Sequence, residues 1–275
     1  MTKKSLNSFM IIVAYSSGIL IALPIVWLFI SSFRPSVDIE KAPYELPNTL
    51  TIQNYHQLLS IPGFVGSLTN SLLIAILTTV VIGTIALPTS YVFSRYSFQG
   101  KRALETFSVV GAYLFAPAIL AFPYFVILSL LGLVNSIVGI AIAHICFCLP
   151  FSLSIGDLIF RSVPRQIEEV AMIDNVHSLK RILQIVIPAA LPQVLALVLL
   201  VFAISWKEFF FAFILSSDNT SRTLPVLLAN QYGGESLNWN ILCAMSSVMI
   251  APSLVVLLFG RKLKISSLLT PGTRG

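Results

Sequence analysis

With 275 residues, 56% of them hydrophobic and 10% charged, and a mean hydropathy of +0.90, the chain carries far less charge than the roughly 25% of a soluble domain. It reads as an integral membrane protein. Its net charge of +6 does not point to nucleic acid, because the basic residues flank apolar runs instead of gathering on one amphipathic face.

Met1 to Asn7 is a short basic leader carrying Lys3 and Lys4. The apolar run that follows, Ser8 to about Phe33, exceeds the ~20 residues that cross a bilayer. Trp27 and Phe29 stand where a cleavable signal peptide needs small residues, so an uncleaved first span is expected. Arg34 to about Phe64 is polar and holds Pro35, Pro43, Pro47 and Pro62; within it Asn48–Tyr55 reads as a short extended piece leading into a helix over Asn54–Ser60. Spans two and three are predicted over Leu68–Phe93 and Leu104–Leu131, joined by Ser94–Arg102. Pro88, Pro117 and Pro123 fall in or near them, where neighbouring helices can satisfy the freed carbonyls, so kinks are expected in place of breaks. Span four is predicted over Ser136–Phe160, span five over Ala189–Leu215 and span six over Trp239–Gly260. A polar loop, Ser216–Asn238, precedes the last and contains the short apolar run Leu224–Leu228.

Between spans four and five lies Arg161–Pro188, the longest charged segment in the second half. It reads as a helical hairpin. Ser162 can cap a first helix and Pro164 suits its first turn, with Ile167, Val170, Ala171 and Asp174 at helical spacing. Asn175 tolerates the left-handed conformation that ends a helix. Ser178 can cap a second helix with Leu179, Ile182, Leu183 and Val186 at i, i+3, i+4, i+7, and Pro188 and Pro192 lead into span five. A compact amphipathic hairpin suits docking into another protein's groove.

Six spans put both termini on one side. Thirteen of the seventeen basic residues fall there, in the leader, the loop after span two, the hairpin and the C-terminal tail. Only Arg34, Lys41 and Arg222 fall in the opposite loops, and Lys207 lies inside span five. The positive-inside rule makes the termini and the hairpin cytoplasmic. Trp27, Trp206 and Trp239 lie toward the outer ends of their spans, as an interfacial belt has them.

Chemistry-bearing patterns are few. There is no P-loop, no metal-ligand spacing and no G-x-S-x-G elbow, so the chain reads as a conduit, without resident cofactor or metal, and not as an enzyme. Cys146, Cys148 and Cys243 lie in apolar segments and read as packing residues. Glu169 is either a solvated charge or a docking contact. Lys207 and Glu208 are charges inside a span, about 28 Å from Pro188 at ~1.5 Å per residue, which is near the outer interface. Lys207 can snorkel there, with Glu208 paired to it or to another span, or both can line a pathway with Trp206. His144, ~12 Å deep in span four, suits an interhelical hydrogen bond or a proton relay. Asn70 at the start of span two suits a helix-to-helix hydrogen bond or a cap.

Several fragments resemble binding-protein-dependent ABC-importer permeases. Glu169-Val170-Ala171, Asp174-Asn175 and Ile185-Val186-Ile187-Pro188 match the spacing of the family's EAA loop (E-A-A, D-G, I-x-L-P), with Val170, Asn175 and Ile187 as departures. Ser32-Phe33-Arg34-Pro35, Asn54-Tyr55, Leu68-x-Asn70-Ser71-Leu72, Tyr91-x-Phe93-Ser94-Arg95, Ser205-Trp206-Lys207-Glu208-Phe209 (Lys207 for the family's Asn) and Leu268–Gly275 resemble the carbohydrate, MalG-like type in the same order. The resemblance implies an all-α polytopic protein of six transmembrane helices with the type I importer (MetI-like) fold in a bacterial inner membrane. It implies an N-terminal helix and loop over 1–66, a permease core over 67–261 with the coupling hairpin at 161–188, and a cytoplasmic tail over 262–275. Glu168, Glu169, Val170, Ala171, Asp174, Asn175 and Pro188 are then the candidate ATPase-coupling residues. Asn70, His144, Trp206, Lys207 and Glu208 are the candidate pathway residues. The implied partners are a second homologous permease, two ATPase subunits that bind ATP and Mg, an extracytoplasmic sugar-binding protein and membrane lipid. An ion-coupled secondary transporter using Lys207, Glu208 and His144 is the alternative, and a purely structural membrane scaffold a third.

Overall fold

The structure is a computed structural model and describes residues 3–35, 45, 47, 49–113, 116–232 and 238–262. The tail 263–275, with the Leu268–Gly275 fragment, and Lys41, Pro43 and Asn48 lie outside the described residues. Among those described, every regular element is a helix: α1 Lys3–Ser32, α2 Gln53–Leu59, α3 Phe64–Arg95, α4 Lys101–Tyr113, α5 Pro117–Leu130, α6 Ile137–Ser162, α7 Arg165–Ile173, α8 Ser178–Ala189, α9 Leu191–Trp206, α10 Phe210–Leu215, α11 Leu224–Tyr232 and α12 Trp239–Lys262. The described residues up to 64 with those of 228–251 make one compact unit, and those of 65–227 with 252–262 make another.

In the first unit, α1 is exposed all along its apolar stretch Phe9–Val26, and only Ser31 and Ser32 at its end are buried. Apolar side chains all round are what a lipid-facing helix presents. Beyond Ser32 the chain folds back on α2. Asn54 Nδ2 donates to the carbonyls of Ser32 and Arg34, both at 2.8 Å, and the Ser32 and Tyr55 hydroxyls meet at 2.7 Å. Asn240 Nδ2 then donates to Asn54 Oδ1 at 2.8 Å. The helix expected over Asn54–Ser60 thus forms over Gln53–Leu59, and Asn54 is used as a buried tie that replaces water for two backbone carbonyls.

The second unit holds two apolar cores. One joins α3, α6, α8 and α9 through Ile82, Tyr91, Phe160, Val186 and Leu197; the other joins α3, α5, α6 and α10 through Ile74, Leu128, Ile140 and Phe211. Helices α3 and α6 meet tightly at Gly156, where an added Cβ lies 2.7 Å from Ser90 Cβ. Glycine is required there by space alone.

Among the described residues, four helices are individually long and apolar enough to cross a membrane, within α1, α3, α6 and α12, and α8 with α9, bent by 86°, makes a fifth if the pair is one span. Two predicted spans are not continuous. The third divides into α4 and α5, with Ala116 extended (ψ 144°) before Pro117, which cannot continue a helix from the preceding turn. The fifth breaks after Trp206 and resumes as α10. Pro88 and Pro123, by contrast, lie inside continuous helices, as expected. The bend between α8 and α9 sits beside Pro188 and Pro192, each of which withdraws a helical donor; Ile182–Val186 adopts a π-helical turn just before it.

Gly156→Ala is expected to cost about 1–3 kcal/mol by overpacking α6 against α3. Thermal unfolding of the purified chain in detergent reads this, and Ser90→Gly in the same chain should restore most of the loss.

Candidate functional site

The predicted hairpin forms, with both of its starts displaced. Ser162 does not cap α7: its hydroxyl donates to the Ile159 carbonyl at 2.7 Å and finishes α6 instead. Val163 is extended, as the residue before a proline prefers, and Pro164 precedes the helix instead of joining its first turn. At the second start, His177 holds the cap position, accepting from Leu179 N at 3.4 Å, and Ser178 is the first helical residue. The turn between them is as expected. Asn175 has φ +53°, and Val176 N donates to Ala171 O and Asn175 N to Met172 O, both at 3.0 Å, the paired bonds that close a left-handed helix end.

Along α7 the candidate coupling residues separate into two faces. Only Glu168 and Ala171 are buried. Glu169, Val170, Ile173, Asp174 and Asn175 are exposed, and Val170 and Ile173 present 60% and 79% of their surface. Apolar surface this accessible on a charged helix, together with Ile167 and Met172, is a patch fit for a protein partner. Pro188 is exposed at the other limb.

Glu168 faces α3 instead. Arg95 Nε donates to its Oε1 at 2.6 Å and the Tyr91 hydroxyl to its Oε2 at 2.7 Å. Arg95 Nη2 also donates to the Val163 carbonyl at 2.9 Å. Arg181, buried on α8, interacts electrostatically with Tyr91 and Glu168. A charge-assisted pair with side chains only 8% and 4% exposed is not screened as a surface bridge is.

The candidate pathway residues also separate. Lys207 is exposed at the end of α9, with no ion pair to it among the described residues, and Glu208 does not pair with it. The Glu208 carboxylate turns inward, meets His144 Nε2 at 3.1 Å and accepts from the backbone of Phe210 (2.7 Å), Phe211 (3.1 Å) and Ala212 (3.4 Å). It therefore satisfies the free N–H groups of α10, which is why the broken span is tolerated. His144 Nδ1 lies 2.8 Å from Ser205 Oγ, so the imidazole links α6 to both sides of the break, the interhelical role weighed for it. Trp206, read as part of an interfacial belt, is 2% exposed and stacked on Phe202. The ion-coupled alternative finds no support here, since two of its three groups hold the break together and the third faces outward.

At the far end of α3, Asn70 Nδ2 donates to the Thr220 and Arg222 carbonyls at 2.9 and 3.1 Å, and Ser71 Oγ accepts from Leu224 N at 2.8 Å. The loop so held is also braced internally: the Thr220 hydroxyl and amide donate to Asp218, holding its carboxyl below the usual carboxylate range. Sequence reasoning did not single out Tyr91, Arg95, Arg181 or Ser71 as site residues, although Tyr91, Arg95 and Ser71 stood in motifs it quoted.

The sequence profile described as binding-protein-dependent transport system inner membrane component matches residues 86–264. The chain belongs to this family. The permease is 30% identical over 270 residues, 97% of this chain and 96% of the relative, to the trehalose/maltose transport system permease protein MalG of Thermococcus litoralis. It is 28% identical, over 88% of each chain, to the trehalose transport system permease protein SugB of Mycobacterium tuberculosis. In structure it is similar to a chain of a bacterial ABC transporter involved in the import of the acidic polysaccharide alginate (TM-score 0.79, 21% identity, 95% of this chain and 98% of that one). A second similar chain (TM-score 0.71, 14% identity, 98% of each) comes from a bacterial alginate ABC transporter in complex with an alginate pentasaccharide-bound periplasmic protein. The matched residues 86–264 include Glu168 and its partners, the hairpin and the Glu208 break.

Glu208→Ala strips the carboxylate from three backbone amides and His144 and is expected to cost about 3 kcal/mol or more, as loss of one partner in a buried charged network does. Lys207→Ala should stay within about 0.5 kcal/mol. Thermal unfolding of the two variants in detergent, side by side, checks the difference.

Proposed function

We propose that this permease is one of two homologous translocation subunits of an ATP-driven importer for a sugar, polyol or sugar derivative. The observation that carries the reading is the capped hairpin between α6 and α9, which turns one face of α7 onto α3 and leaves Glu169, Val170 and Ile173 free. That free face, apolar and flanked by Glu169 and Asp174, would sit in a groove of an ATPase subunit. ATP and Mg belong to a pair of such subunits; this chain contributes no covalent chemistry.

The basic residues supply the orientation. The hairpin, the loop after α3 and both termini face the cytoplasm, and the Thr220–Arg222 loop faces outward, where a substrate-loaded binding protein would dock. The sugar-transport names of the relatives support the substrate class, as does the periplasmic protein in the alginate complex. ATP-driven closure below would move the hairpins as rigid bodies and rock the spans between inward- and outward-facing states. The unburied apolar surface of α1 suits lipid and the second permease.

Purification of the tagged chain from its native membrane in mild detergent, with its companions identified by mass spectrometry, tests the assembly: a P-loop ATPase and a second polytopic permease are expected, and a chain that emerges alone and folded would sink the proposal. Glu169→Lys is expected to insert normally while ATP hydrolysis no longer drives uptake. Uptake of radiolabelled trehalose or maltose at the parent rate by that variant would remove Glu169 from the coupling surface.

A further inference from the structure

The first limb of the hairpin, α7, touches the rest of its unit through little, whereas the second limb sits in the core through Val186. Of the nine residues in α7, Glu168 and Ala171 alone are buried. Glu168 receives two side chains from successive turns of α3, Tyr91 and Arg95. Arg95 also holds the carbonyl of Val163 at the hairpin's start, and Arg181 brings the second limb to the same Tyr91 and Glu168. One carboxylate therefore joins α3 to the first limb of the hairpin, with Arg181 of the second limb in its electrostatic reach.

What lies at the other end of α3 matters equally. Asn70 and Ser71 hold the backbone of Thr220, Arg222 and Leu224. Asn70 lies 25 residues from Arg95, about 37 Å along a helix at ~1.5 Å per residue. Between the two ends, α3 is seated against α6 at Ser90 and Gly156 with no room for a methyl group, so the two helices cannot slide freely past each other.

We propose that α3 is a strut, with Glu168 as the positioning residue that ties the hairpin to it, so that hairpin displacement moves the loop over residues 216–223 at the far end. The inference rests on the coupling role proposed above and adds a route for it. A surface contact transmits a push only. A buried ion pair also transmits a pull, because separating its charges leaves each one desolvated and unpaired. Within this pair of adjacent glutamates, the two side chains then have different duties: Glu169 meets the partner, and Glu168 passes the motion inward.

The test uses the complete importer in nanodiscs, with Cys146, Cys148 and Cys243 replaced by Ala and the exposed loop residue Asn219 by Cys. The labelling rate of Asn219→Cys by a membrane-impermeant maleimide is measured with and without Mg-ATP and vanadate. In the parent the nucleotide should change the rate about fivefold or more, the low end of ordinary coupling factors. In Glu168→Gln the change should vanish while the ATPase subunits remain bound and hydrolyse ATP, a separation that a merely structural role would not produce. The charge exchange Arg95→Glu with Glu168→Arg should restore part of the response. A full response in Glu168→Gln overturns the strut, as does a parent loop that ignores nucleotide during active hydrolysis. Should Glu168→Gln not accumulate, Tyr91→Phe removes one hydroxyl from the same carboxylate, and an undiminished response there overturns the proposal as well. A parent that brings down no ATPase at all fails the importer reading instead, which keeps the two ideas separately testable.

Discussion

A carboxylate sealed from water costs several kcal/mol unless its lone pairs are met, and Glu168 meets that cost with Arg95 and Tyr91 at 2.6 and 2.7 Å. Much of the architecture follows from this requirement. The pair forms only if α3 extends to Arg95, if α7 begins after Pro164 so that position 168 turns inward, and if Val163 is extended enough to offer its carbonyl to the same guanidinium. Each is set by local chemistry: a continuous apolar helix closed by a basic residue, and a proline that forbids its predecessor the helical region. The ion pair then selects the one docking of the hairpin on α3 in which these local choices agree.

The same logic recurs at the break beyond α9. A span that stops after Trp206 leaves the next helix with unpaired amides in an apolar setting, and Glu208 is placed to accept from three of them. His144 then lies against the carboxylate and reaches Ser205 across the break. In sequence, Lys207 and Glu208 are adjacent charges that invite pairing with each other. In the fold they diverge, because one residue's rotation about a helix end sends Lys207 outward and Glu208 into the core. Charges that serve backbone satisfaction are a different thing from charges that carry ions, and only their hydrogen-bond partners tell the two apart.

The sequence by itself determined the class and most of the organisation. Charge poverty and apolar runs established a membrane protein; the hairpin's periodicity and Asn175 located its helices and their turn; and the order of short motifs identified the family. Those signals are local, so they survive without knowledge of packing. What only the tertiary structure decided was which of several plausible partners each polar group takes. Ser162 and Ser178 were equally good caps in one dimension, yet Ser162 finishes the preceding helix and His177 displaces Ser178. Pro88 and Pro117 looked alike as potential kinks, but only the second lies where one helix ends and another begins. Glu168 and Glu169 are neighbours of identical chemistry, separated by the ~100° that one residue turns on a helix. Which of them faces α3 depends on Arg95, seventy-three residues earlier, and a pairing at that separation leaves no mark in the local pattern, because it is settled by the packing of whole helices.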